Sequence, residues 1–390
     1  SSDEIQRMPF LSGSLGFERF NVSGFKGAFD EEQLDKLIQA ASGSLVPTAE
    51  EAAVVGFIGG DHLFDQTFDL GKNLINEAVH CGVRIDTNQV PSAIRRAWLQ
   101  IELTARARES STGRVTKAMR TEAKEAVEQR CAEEAATGKY RRMQQFPVLW
   151  DLRNEVLFVG ASGTAAGHCA DLLERTFELE LSRVSAGTVA LDWGRRVERM
   201  ADVDDLFPAC FAPDAQYDAV AWANAEANRP DFLGNEFLLW LWWRYENESD
   251  TIQVSDESEI TYMLAKTLTL ECPLGEHGKE TISAESPIKL AEALQAVRSG
   301  KLPRKSGLTL VRYGQQYDMV LQAESLALSG AKIRTDDQDE AHQLEDRIDA
   351  IRELSLTVDL LFEAYCELRL SSAWEQTRSA IGHWLASSQQ

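Results

Sequence analysis

Residues 92–142 hold twelve lysines and arginines against seven glutamates, in a chain whose formal net charge is −22. Arg95, Arg96, Arg106, Arg108, Arg114, Lys117, Arg120, Lys124 and Arg130 fall in one stretch of helical composition, from Ala93 to about Glu134. Lys139, Tyr140, Arg141 and Arg142 follow it as a basic, aromatic-bearing hinge. Cations gathered in one place on a polyanion-repelling chain can neutralise phosphates and release their condensed counterions, a chemistry indifferent to base sequence. The same composition also suits a solvated arm laced with i,i+4 ion pairs.

Other groupings carry less. Gly160-Ala161-Ser162-Gly163-Thr164-Ala165-Ala166-Gly167 follows a strand and opens a helix, where a nucleotide phosphate could sit, but it has neither the GxGxxG spacing nor a Walker lysine. Asp202, Asp204 and Asp205 could supply oxygens to magnesium in a nuclease, but beside Leu206-Phe207-Pro208 a capped loop explains them more simply. The six histidines are scattered without HExxH spacing, and the six cysteines form no CxxC pair, so no metal site or cofactor is expected. Trp240, Trp242, Trp243 and Tyr245 could stack unpaired bases, although a segment apolar nearly all round is first of all a buried helix.

The elements that must position the cations read as follows. A strand covers Leu15–Phe25, and Asp30 caps a helix bearing Leu34, Leu37, Ile38 and Ala41 that Gly43 ends. Strands are expected at Val54–Ile58 and at Leu74–Cys81, the latter closing on Gly82. Val90-Pro91-Ser92 starts the long charged helical arm, interrupted at Ser110–Gly113. The hinge then leads to a strand at Val148–Trp150, a turn at Asp151–Glu155, a second strand at Val156–Val159, and a helix with Ala166, Ala170, Leu173 and Phe177 on one face. Further strands are read at Arg183–Trp193 and Tyr262–Leu270, and a hairpin joins Leu308–Tyr313 to Tyr317–Ala323. Ser286-Pro287 opens a helix ended by Gly300, Thr335–Glu340 is an acidic linker, and a long helix carries Ile348 to Tyr365. The organisation is an N-terminal α+β region (1–92), the arm (93–138), a central region (139–230), a Trp-rich segment (231–275) and a C-terminal helix–hairpin–helix region (276–390).

A chain of 390 residues can bury a large core. Ser1–Arg7 lacks the pattern of a secretory leader, and the apolar run Phe232–Trp243 is too short to span a bilayer, so a cytoplasmic protein with no membrane partner is expected.

In the order of its segments the chain resembles the recombination-associated protein RdgC family. Val90-Pro91-Ser92-Ala93-Ile94 entering the arm is similar to the family's Leu-Pro-Ser-Pro-Val-Ile, and VLWDLRNEVLFVGAS resembles its Met-Met-Trp-Ile-Asp strand, turn and strand. ALQAVRSGKLPRKSGLTLVRYGQQYDMVLQ, with the acidic linker and closing helix, follows its C-terminal order, so that the likeness covers most of residues 15–370. Pro208–Leu270 is an expansion over shorter members. The resemblance implies an α+β subunit with mixed sheets and a long helical arm that dimerises into a ring around duplex DNA, without base preference, and restrains RecA-type recombinases. It places DNA contacts on Lys139, Tyr140, Arg141 and Arg142, with Tyr140 where the family has phenylalanine, and near Lys279, whose neighbour is Glu280. Local charge adds Lys301, Arg304 and Lys305 to Arg95, Arg96, Arg106, Arg114, Lys117 and Arg120. The alternatives are a metal-dependent DNA exonuclease and a protein interaction scaffold.

Overall fold

A computed structural model of the protein describes residues 10–42, 53–110, 113–211, 217–223, 229–275, 278–333 and 340–387. Its frame is one thirteen-stranded sheet in which the pairs of named strands are antiparallel, rather than the mixed sheets expected from sequence. The ordered path runs β10 (Glu280–Ala284), β9 (Glu259–Glu271), β11 (Leu302–Arg312), β12 (Gln315–Gln322), β13 (Leu328–Lys332), β1 (Leu15–Ser23), β6 (Val156–Val159), β5 (Arg141–Asp151), β4 (Ala78–Asn88) and β2 (Val54–Ile58). Short strands β3 (Leu74–Ile75), β7 (Glu180–Arg183) and β8 (Thr251–Gln253) pair with β4, β1 and β9.

Strand β1 joins the two halves. Its first residues pair with β13 and its last with β6 and β7, with a register shift between Leu15 and Phe17. Because side chains alternate across a strand, Leu157 and Val159 enter one core while Phe158 enters the other. The first core lies under α1 (Glu31–Gln39) and α5 (Gly163–Phe177), which supply Leu34, Leu37, Ala166, Ala170, Leu173 and Phe177. The second lies under α6 (Ala186–Arg196), α8 (Phe232–Asn247) and α10 (Glu340–Arg369).

The Trp-rich segment is the centre of that second core: α8 buries every residue from Leu233 to Trp243. Two polar residues within it are fully satisfied. Glu236 accepts from the Ala209 N–H (2.6 Å), the Tyr365 hydroxyl (2.6 Å) and Arg369 Nε (2.9 Å), while Asn235 donates to the Pro303 carbonyl and to Glu324. Helix α10 is also fastened to the sheet by ion pairs from Arg19 to Asp359 and from Arg352 to Asp151, each 2.7 Å.

Several elements depart from the sequence reading. Residues 186–196 form helix α6, not a strand, because Ser185 and Thr188 make a reciprocal capping box and Ala186, Ala190 and Trp193 fall on its buried face. Leu74–Cys81 is a hairpin: Asn76 and Glu77 take left-handed conformations and turn β3 into β4, which continues through Gly82 to Asn88. The hinge at Arg141 and Arg142 is already β5, because its partner β4 runs on to Asn88 and pairs residue by residue. Lys301–Lys305 leads into and forms β11, and the hairpin turns at Tyr313–Gly314. Pro287–Lys289 is one 3-10 turn before α9 (Ala291–Arg298). Gly43 and Thr335–Asp339 lie outside the described residues.

Candidate nucleic-acid interface

The charged arm is a helical hairpin set into the tip of a two-stranded ribbon. β4 and β5 pair over eleven positions, from Ala78 opposite Asp151 to Asn88 opposite Arg141. Between them the chain forms α3 (Ser92–Glu109) and α4 (Lys117–Ala136), packed against each other and on the order of 30 Å long. Pro91 precedes the first helix and Thr116 caps the second, accepting from the Met119 N–H at 3.3 Å. α3 buries none of its residues and α4 buries only Ala123, Val127 and Ala135, so two helices alone make a thin seam.

Ion pairs hold that seam. Arg95 meets Glu128 across the hairpin, Arg106 meets Glu102 (2.5 Å) and Glu122 (3.8 Å), and the Arg130 guanidinium stacks 4.3 Å from the Trp98 ring centroid. At the base, Asn88 Nδ2 donates to the Ala135 carbonyl at 2.6 Å. There Asp86 lies buried between two guanidinium groups, accepting from Arg84 at 2.7 and 2.6 Å and from Arg141 at 2.9 Å. Burial drives the Asp86 carboxyl up, but the hydrogen bonds and charges of Arg84 and Arg141 outweigh it, and its pKa is lowered. Lys139 donates to Glu134 at 3.1 Å, which raises the Lys139 pKa, and lies over the Tyr140 ring.

The sequence-expected cations therefore divide into two sets. Arg95, Arg106, Lys139 and Arg141 have carboxylate partners within the arm or its base. Arg96, Arg114, Lys117, Arg120 and Arg142, together with Arg108 and Lys124, are exposed and meet no carboxylate among the described residues. Lys117, Arg120 and Lys124 recur at i, i+3 and i+7, which puts them along one side of α4.

The C-terminal cations lie on or beside other strands, β11 standing five strand steps from β5 along the sheet, although Lys305 lines a cavity together with Phe146 and Pro147 of β5. Lys301 is buried against Glu280. Arg304 is held by Glu271 (2.5 Å) and Glu324 and stacks 4.4 Å from Trp222. Both are therefore structural ion pairs rather than free phosphate ligands, because each carboxylate already neutralises its cation. Lys279, before β10, and Lys305 are exposed.

Two further sites can be assessed. The N-terminus of α5 is occupied by the chain itself: the Gly163 N–H donates to Glu18 at 3.0 Å, and Arg183 holds the same carboxylate at 2.6 Å. A carboxylate stands where a nucleotide phosphate would bind. Asp202 is paired with Arg199 at 2.7 Å, beside Asp204 in the short helix α7 (Met200–Asp204), and among the described residues no three His, Cys, Asp or Glu side chains gather as a metal site. What sequence reasoning missed was Arg84, Asp86 and Asn88, the residues that anchor the arm. The alternation Arg84-Ile85-Asp86 in a strand carried the signal, since it puts both charges on one face.

No family model matches the chain, and the curated proteins include no relative that matches it. Among the described residues no helix is long and apolar enough to cross a membrane.

Proposed function

We propose that the protein binds double-stranded DNA through backbone phosphates, using the free cations of the α3–α4 arm and Arg142 on its ribbon, and that it does so as an RdgC-like homodimer closing around the duplex. The observation that carries this reading is the local charge imbalance. Among the described residues seven arm and ribbon cations lack a carboxylate partner, whereas the arm's other cations are neutralised or stacked. An acidic body repels polyanions elsewhere, which would confine the duplex to the arms. With contacts to phosphates alone, base sequence has no means of being read. Modulation of a RecA-type recombinase would follow from occupying the duplex that the recombinase must reach.

The test is equilibrium binding to several unrelated duplexes across a potassium chloride series. Equal affinities and a steep negative slope are expected. A strong base preference, or no binding at low salt, overturns the proposal. Incubating labelled duplex with magnesium or manganese tests the exonuclease alternative, which a shortened product would favour. Sedimentation of the free protein tests the dimer.

A further inference from the structure

Strand β5 has neighbours on both edges only over Val148–Asp151, where β4 lies on one side and β6 on the other. From Arg141 to Phe146 it keeps β4, but among the described residues no strand lies on the β6 side, because β6 ends at Val159 and the chain leaves through Gly160 into α5. The Gly160 N–H donates to the Pro147 carbonyl at 2.8 Å, so that carbonyl faces the β6 lane. In an antiparallel strand the main-chain groups alternate edges from residue to residue, which turns the N–H and C=O of Gln145 and Met143 into the same lane. Arg141 closes its far end by donating to the Gly138 carbonyl at 3.1 Å. Four main-chain groups stand without a protein partner among the described residues, on a strand whose Gln144 and Gln145 are exposed.

At its inner end the lane opens into a cavity of about 690 Å³, formed where β1 changes partner from β13 to β6. Phe146, Pro147 and Val320 give it apolar walls, Glu18 and Glu324 on its lining are already paired with Arg183 and Arg304, and Lys305 stands there exposed with no carboxylate partner among the described residues. Arg142, at the outer end, likewise meets no carboxylate among the described residues. An unpaired strand edge, a hole walled in part by apolar side chains and a cation at each end have one common complement.

We propose that this lane is a docking site for an extended, acidic segment of another polypeptide, which adds a strand antiparallel to β5 in line with β6. An apolar side chain of the segment fills the cavity, and its carboxylates meet Arg142 and Lys305. Main-chain pairing supplies affinity, and the cavity supplies selectivity. Nucleic acid suits the lane poorly, because phosphates accept from N–H groups but would face the Met143 and Gln145 carbonyls with like charge. A second copy of this chain would bring its own Arg142 to a positive edge. The proposal does not depend on DNA binding, although the two share Arg142.

The experiment uses the full chain and a fluorescein-labelled peptide, Asp-Val-Thr-Val-Thr-Asp-Glu, followed by anisotropy and by amide hydrogen exchange. Saturable binding in the micromolar range is expected, with exchange at Met143 and Gln145 slowed about tenfold or more. Arg142→Glu weakens binding about tenfold, and the peptide N-methylated at alternate residues does not bind. Absence of saturation up to about 1 mM overturns the proposal and leaves the two arginines at this edge as protection against strand pairing between copies. Equal binding of the N-methylated peptide, which would mean charge alone, also overturns it. So does slowing of the same two amides by a DNA duplex and not by the peptide. Since the N-methylated control leaves the protein unaltered, misfolding of a variant cannot produce that outcome.

Discussion

Replacing Lys117, Arg120 and Lys124 together by alanine isolates the electrostatic part of the proposed DNA contact. The three side chains are exposed and make no hydrogen bond or ion pair among the described residues, so the triple variant should keep its unfolding free energy within about 0.5 kcal/mol. From the first to the last, the stripe rises about 10 Å along α4. A DNA strand presents a phosphate about every 3.4 Å of axis, so the stripe matches roughly three phosphates. Each neutralised phosphate contributes about 0.9 to the slope of log affinity against log salt, and losing three flattens it by about 2.7. With affinity extrapolated to 1 M salt unchanged, that corresponds to a loss of about 500-fold at 0.1 M salt and about 25-fold at 0.3 M. Anisotropy of a labelled duplex across a salt series reads both quantities at once. A variant that folds and keeps the parent slope would show that the stripe touches no phosphate. One that loses affinity equally at every salt concentration would show that the loss is not counterion release.

The remaining predictions concern the frame. Arg304→Ala should leave the salt slope unchanged while destabilising the fold by about 3 kcal/mol in urea denaturation, because it removes the cation between Glu271 and Glu324, leaving Glu324 only its neutral donors Asn235 and Gln322. Tyr365→Phe and Arg369→Ala each remove a donor from buried Glu236 and should cost about 1–3 and 3–5 kcal/mol respectively, with a smaller joint cost than the sum if the three act as one network. Gly234→Ala should prevent stable folding, since a Cβ there would overlap the Ala323 carbonyl where α8 crosses the β12–β13 turn. His80 is wholly buried and burial lowers its pKa to about 4, while its Nε2 has no partner among the described residues. The unfolded chain, with an ordinary histidine pKa near 6.5, binds the proton first as pH falls. Stability contributed by the neutral ring is therefore complete above about pH 6.5 and drains away toward pH 4, by up to about 3 kcal/mol. Urea midpoints at pH 7 and pH 4.5 should diverge more in the parent than in His80→Gln, and equal divergence would refute the assignment.

What could be read in the residues alone was whatever depends on near neighbours along the chain. Asp30 caps the helix that follows it, Pro91 marks the start of α3, and the change of period after Gly160 marks the passage from β6 to α5. The all-round apolar run Phe232–Trp243 was legible as a buried helix because no surface helix needs four apolar faces. The Arg183–Trp193 misreading arose where apolar residues permit both periods and a capping box decided between them. Charge count by itself established that residues 92–142 are locally cationic in an acidic chain. Only the tertiary structure decided which of those cations are free. Arg95 finds Glu128 across the hairpin and Arg141 finds Asp86 across the ribbon, as Arg304 outside the arm finds Glu271 on β9 and Glu324 in the β12–β13 turn, while Lys117, Arg120 and Arg142 find none among the described residues. The physical reason is range: capping and periodicity act within a few residues, but a cation is neutralised by whichever carboxylate the fold brings within about 4 Å, however distant in sequence.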